Sequence, residues 1–273
     1  MWRSKKTKAS YALLDLLAPH EVPSLMLERW GPESDGAYIL PVELMSKSKV
    51  LISGGVADNV RFEEEVAEKV PGIRIGLFDH TISKAPDHTP TNAVWYKLGL
   101  GSGEGLVSLE RAAELSGAVA GEPVAIKLDI EAAEWDLVDS TPPEFWKRVD
   151  LLIIEIHGFE IQEKWEYYRA ILEKLNRWLL AVHVHGNNYS ETVHFRKQGV
   201  RVPFTLEITY INRKWIPPGM TPAKWNHVGP TRLDRPNFPF RPDIRLDYWM
   251  QKKNIFLRRL KKNIQHILFP KRG

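Results

Sequence analysis

The chain has 273 residues, 43% of them hydrophobic and 26% charged, and a formal net charge of +4; that balance suits a globular protein with a full core and excludes a disordered chain. It contains no cysteine, which excludes structural disulfides, thiolate metal sites and cysteine nucleophiles and fits a reducing compartment. Residues 251–273 carry eight Lys or Arg and no acid, so the rest of the chain sums to −4 and the basicity belongs to the tail.

In chain order, residues 1–48 read as a helical lead-in and the loop phrase GPESDGAYILP (31–41). The opening MWRSKKTKASYALLDLLAPHE is basic, but its apolar part is short and broken by Asp15. Neither a secretory signal nor a membrane span is expected, and the cytoplasm is the expected compartment. Seven apolar runs rich in branched residues follow, at 49–55, 73–79, 93–101, 124–130, 150–158, 178–186 and 204–212. Such runs, separated by helical stretches, predict an α/β fold: a doubly wound, mainly parallel seven-stranded sheet covered on both faces. The stretch after Asn59 sets Val60, Phe62, Val66 and Val70 among glutamates, a helix with one buried stripe. Further covering helices are expected within 106–117, 136–149 (broken by Pro142 and Pro143) and 162–178.

The core is thus expected at 49–213, followed by a proline-punctuated extended wrap at 214–248. In the tail, 249–273, Phe256, Leu257, Leu260, Ile264, Ile267 and Leu268 recur at helical spacing between basic residues. That pattern predicts an amphipathic cationic helix, suited to an anionic membrane surface on the inner face, to a partner protein, or to the chain's own body. Nucleic acid fits poorly, because the remaining chain is net negative.

In a doubly wound sheet, ligands bind beyond the carboxyl ends of the strands. The stretch ISGGVADN (52–59) places Gly54 and Gly55 there, where backbone can approach a ligand closely, with Asp58 and Asn59 as candidate caps of the next helix. A plain strand-to-helix turn would look the same. Asp79, at the end of the second run, stands where an acid accepts hydrogen bonds from a ribose diol. The spacing G-x-G-x-x-G is missing here and in GLGSGEG (99–105), and no Walker lysine is present.

Together the phrases RWGPESDGAYIL (29–40), LISGGVADNVRFEEEVAEK (51–69) with LFD (77–79), IKLDIEAAEWDLV (126–138), LLIIEIHG (151–158) and HVHGNN (183–188) resemble the FkbM-type S-adenosylmethionine-dependent methyltransferases. The resemblance spans roughly residues 29–245. It departs at Ala57 and Ala132, which stand where the family commonly has glycine. It implies a class I methyltransferase sheet whose last two strands form an antiparallel hairpin. It also implies that Gly54 and Gly55 hold the methionine end of S-adenosylmethionine, that Asp79 holds its ribose, and that Asp35 and Gly36 fold over the cofactor. A simple Asp-Gly turn is the other reading of that last pair. The acceptor implied is a sugar hydroxyl of a cell-surface glycan or of a glycosylated metabolite, and the basic tail favours a lipid-linked glycan.

Methyl transfer from a sulfonium needs alignment and a proton acceptor. Three strand ends offer one: Asp129 (with Glu131 and Glu134 following), Glu155 with His157, and His183 with His185. Side-chain alternation puts Glu155 on one face with His157, and His183 with His185. His157 is the first candidate base and His185 the second, with Asp129 and Glu155 beside them. Asp129, His157 and His185 also offer a mixed carboxylate and imidazole set for a divalent metal. Acids opening a helix have a purely structural use as well. A nicotinamide-dependent oxidoreductase and a non-catalytic partner in glycan assembly are the alternative functions.

Overall fold

The computed structural model describes residues 13–195, 200–223, 228 and 230–246, without the side chains of 193–195 and 200–202. The tail at 249–273 lies outside the described residues. Each of the seven apolar runs contains one strand of a single sheet: β3 (Val50–Gly54), β4 (Arg74–Phe78), β5 (Ala93–Tyr96), β8 (Val124–Leu128), β9 (Val149–Ile156), β10 (Leu179–Gly186) and β13 (Leu206–Asn212). Their order is β10-β13-β9-β8-β3-β4-β5. The five strands from β9 to β5 are parallel, and β13 runs antiparallel to both its neighbours. The chain therefore has the expected mainly parallel, Rossmann-like seven-stranded sheet, with its last two strands antiparallel.

Two separate cores explain why these strands are apolar on both sides. One face packs Ile52, Ile126, Ile154 and Tyr210 under α3 (Leu109–Leu115), α4 (Glu134–Ser140) and α6 (Trp165–Leu175). The opposite face packs Leu51, Ile75, Ala125 and Ile153 under α1 (Val42–Lys47) and α2 (Arg61–Lys69). Full burial of each Leu, Ile or Val side chain contributes about 1.5–3 kcal/mol, so reversing either face would forfeit a core. Between α4 and β9, Pro143 starts the short helix α5 (Pro143–Trp146), the break expected from the proline pair.

Two segments differ from the sequence reading. The lead-in loop is the turn of a hairpin, β1 (Leu27–Trp30) with β2 (Tyr38–Pro41), in which Gly31 has φ +110° and Arg29 Nη2 donates to Ser34 O at 2.8 Å. LERW is too polar to announce a strand, yet Trp30 and Tyr38 are buried against the second face. The run 93–101 also breaks after Tyr96. Gly99–Leu100 (β6) pairs with Leu106–Val107 (β7) instead, leaving the large sheet where glycine supplies no side chain to pack. A further hairpin, β11 (Thr192–Phe195) with β12 (Val200–Pro203), extends beyond β10. Among the described residues no helix is long and apolar enough to cross a membrane.

Candidate active site

The hairpin-covered face carries two polar rows where apolar residues would pack at lower cost. Register aligns Ser53, Lys127, Ile153, Thr209 and His183 across β3, β8, β9, β13 and β10. The next row toward the strand tips holds Glu155 opposite Glu207 and Glu207 opposite His185, with Asp129 just past the end of β8. Three acids thus come together on adjacent strands. Burial, and then the charges of Asp129, Glu207 and Asp35, push the Glu155 carboxyl well above the usual carboxylate range. Asp129 is also raised, by burial and by Glu131 and Glu134, against the opposing charges of Lys127 and His157.

The glycine pair closes the turn after β3 against this edge. Gly55 has φ +71°, and a Cβ placed on it would lie 1.6 Å from the Asp129 carbonyl oxygen, so no larger residue fits. Lys127 Nζ donates to Gly55 O at 2.7 Å, and Gly55 N donates to Phe78 O at 2.9 Å, which fixes the turn from both sides. Asp79 sits beside it: Ala57 N donates to Asp79 Oδ2 at 2.9 Å, while Thr81 N and Oγ1 donate to Oδ1 at 2.8 and 2.6 Å. Burial opposes ionisation, but these bonds and one from Ile82 N hold the Asp79 carboxyl below its usual 3.8. Asp79 therefore braces the turn as it stands. Ala57 and Ala132 have φ of +45° and +75°, the left-handed conformation that explains why glycine suits both positions.

Asp35 and Asp58 line one open cleft of about 370 Å³ with Asn59, Glu64, Asp87 and His88. Gly36 abuts this loop, since a Cβ there would lie 3.0 Å from Asn59 Nδ2. The structure thus gathers Gly54, Gly55, Asp58, Asp79, Asp35, Gly36 and Asp129 around one end of the strands.

His157 follows β9, partly exposed. Its Nδ1 lies 3.2 Å from Glu134 Oε1, and its Nε2 lies 3.6 Å from both Glu131 Oε2 and Glu155 Oε1. Burial disfavours the imidazolium, but Glu134, Asp129 and Glu131 outweigh it and raise the pKa above 6.5. Glu134 also accepts from Ile130 N at 2.8 Å. Trp135 Nε1 donates to His157 O at 2.8 Å, and its ring stacks on Tyr168 with centroids 3.9 Å apart.

His185 is placed differently from the sequence expectation of a second base and metal ligand. Its Nδ1 is 3.0 Å from Glu207 Oε2 and its Nε2 is 2.8 Å from Asp243 Oδ1. With a carboxylate on each nitrogen the buried ring carries both protons and has no lone pair to offer. Glu134 is instead the residue grouped with Asp129 and His157, their ligand atoms lying within 4.8 Å of one another.

The wrap supplies residues that sequence reasoning did not find. Asp234 Oδ1 lies 3.0 Å from His183 Nε2, and Asn237 Nδ2 donates to Asp35 Oδ1 at 2.9 Å and to Glu207 Oε1. Asn188 Oδ1 accepts from Phe238 N at 2.7 Å. Beyond β10 opens a second cleft, of about 580 Å³, lined by Asn188, Ser190, Glu191, Thr192, Arg241 and Asp243, among others. Tyr189, Phe238 and Phe240 form an aromatic chain beside it, with centroids 5.2 and 5.5 Å apart; Tyr189 is 53% and Phe240 88% exposed.

Fold and strand-tip geometry define a Rossmann-like, mainly parallel seven-stranded sheet with a glycine turn facing a row of acids. No protein-family model and no curated protein matches the chain. Among solved structures, the precorrin-6y C5,15-methyltransferase of Geobacter metallireducens GS-15 is similar at 11% identity, over 62% of this chain and 85% of that one, with a TM-score of 0.32.

Proposed function

We propose that the chain is an S-adenosylmethionine-dependent O-methyltransferase of the FkbM type, acting on a sugar hydroxyl of a glycan. The observation that carries this reading is the shared edge of the Gly54-Gly55 turn, the half-buried Asp129 and the buried acids Glu155 and Glu207. Bound there, S-adenosylmethionine would supply an activated methyl group to the acceptor oxygen, its sulfonium sulfur departing as a neutral thioether. The acids provide a negative seat for that cation, and the open backbone at Gly55 allows close approach. The hydroxyl's proton passes to the carboxylate and imidazole cluster formed by Asp129, Glu134, Glu155 and His157. A positioned acceptor of this kind contributes about 10²–10⁴ in rate.

The same charges count against a nicotinamide dinucleotide. Its pyrophosphate would face Asp35, Asp58, Glu64 and Asp87 in the first cleft, and like charges in contact repel. A scaffold with no chemistry would gain nothing from the buried acids Glu155 and Glu207 beside the half-buried Asp129, since burying a carboxylate is costly.

The second cleft supports a carbohydrate acceptor. Amide, hydroxyl, carboxylate and guanidinium groups line it, matching a polyhydroxylated ring, while the exposed aromatics offer flat apolar area for the ring's C–H face. The basic tail is proposed to hold the protein at an anionic membrane surface, near lipid-linked acceptors. Deleting residues 249–273 is expected to abolish flotation with anionic liposomes; unchanged flotation refutes the tail's role.

The test is calorimetric binding and thermal shift with S-adenosylmethionine, S-adenosylhomocysteine and NADH, followed by labelled methyl transfer to a glycan panel. A ligand at one hundred times its Kd stabilises by about 2.7 kcal/mol. Stabilisation by the adenosyl ligands with label in a glycan is expected. Stabilisation by NADH alone refutes the reading.

A further inference from the structure

We infer that Asp129, Glu134 and His157 form a binding site for one divalent ion that takes mixed oxygen and nitrogen ligands, such as Mn²⁺ or Zn²⁺. One ligand atom from each lies within 4.8 Å of the others. Metal–ligand bonds of about 2.0–2.2 Å in a tetrahedral shell separate ligand atoms by roughly 3.3–3.6 Å, so contraction by about an ångström closes a shell around an ion.

An unsatisfied oxygen gives independent support. Glu134 is 1% exposed, and its Oε1 is used by Ile130 N and His157 Nδ1, but its Oε2 is buried with no hydrogen-bond partner. A buried carboxylate oxygen without a donor is costly, and such atoms call for an explanation. A cation beside it is the chemistry that satisfies it. The surroundings are also rich in acid: Glu131 and Glu155 both approach His157 Nε2, at 3.6 Å each, while Lys127 Nζ donates to Gly55 O at 2.7 Å.

Two carboxylates and one imidazole leave coordination positions open, as catalytic metal sites do. Glu131, whose side chain is 86% exposed, is free to turn toward the ion as a further ligand. In catalysis the ion would lower the pKa of the acceptor hydroxyl. That use rests on the methyltransferase reading; the binding itself does not.

The test uses the full chain stripped with chelator and titrated calorimetrically with MnCl₂ and with ZnCl₂, together with pulsed electron paramagnetic resonance of bound Mn²⁺. One saturable site is expected, with imidazole nitrogen coupled to the manganese. Glu134→Gln and His157→Gln should each weaken binding at least tenfold, while the exposed Glu163→Gln leaves it unchanged. Absence of a saturable site in the wild-type chain, absence of nitrogen coupling, or unchanged affinity in folded Glu134→Gln and His157→Gln overturns the proposal. The resonance measurement on wild-type protein decides even where a variant does not fold. Cofactor binding without metal uptake sinks this inference alone, and metal uptake without cofactor binding sinks the methyltransferase reading alone.

Discussion

At Gly55 a methyl group would have to occupy the space of the Asp129 carbonyl oxygen, 1.6 Å away, in a left-handed backbone. Gly55→Ala is therefore expected to cost at least about 2 kcal/mol, from the handedness penalty and from overpacking, and to weaken S-adenosylhomocysteine binding. Urea unfolding and calorimetry check both; an unchanged midpoint contradicts the packing. The opposite outcome is expected at Ala132, where φ is +75°. Ala132→Gly relieves strain of about 1–2 kcal/mol and loses about 0.4–1 kcal/mol through the freer unfolded chain, so the melting temperature should rise slightly. The glycine pair was readable because a strand-to-helix turn next to a ligand needs such residues. Ala57 and Ala132 were noticed only as departures from a resemblance, and their backbone angles supply the physical reason. Glu134 was read as an acid favoured by a helix start; its unpartnered oxygen depends on burial, which no local pattern reveals.

Among elements, the wrap is fastened by charge. His185 lies between Glu207 and Asp243, and His183 meets Asp234, while Asn237 links Asp35 and Glu207. Burial alone would lower the His185 pKa, but Asp243 and Glu207 outweigh it and raise it well above 6.5. Stability from that ring is complete below 6.5 and is lost as pH rises through the raised value. For Asp234 burial opposes ionisation, yet His183 and then His185 lower its pKa from 3.8 to about 2. Its contribution is present above 3.8 and fades as pH falls toward about 2. Limited proteolysis of the wrap should therefore be slowest between these limits and quicken on either side. His185→Asn should remove the protection lost on the alkaline side, leaving the wrap open near neutral pH. Uniform cleavage across pH would show that the pairs do not hold it. These contacts were not visible in the chain because they join residues as far apart as Asp35 and Asn237. Proline spacing predicts an extended path, not the side chains it meets.

At the scale of the molecule, all seven strands of the sheet were visible as apolar runs, since strands covered on both faces are mostly apolar, their polar residues being confined to two rows on one face. Their order was not. Glu207 joins the acidic row only because β13 inserts between β10 and β9, and from sequence it is one acid in a hydrophobic strand. The β1–β2 hairpin was likewise missed, its polar residues masking two aromatic anchors. Removing one anchor by Trp30→Ala should cost about 3–5 kcal/mol and expose the polar rows to water, which hydrogen exchange at β8 and β9 would record. Unchanged protection there would mean that the hairpin is not their cover.

Trp135 belongs to the helix-side core, yet its indole N–H is bonded to the backbone of His157, at the tip of the opposite face. The candidate centre therefore has a natural fluorophore attached to it, already stacked on a phenol ring. Events at the imidazole should change its emission, and subtracting the spectrum of Trp135→Phe would isolate that signal from the other tryptophans. Occupancy could then be followed optically, without label or turnover.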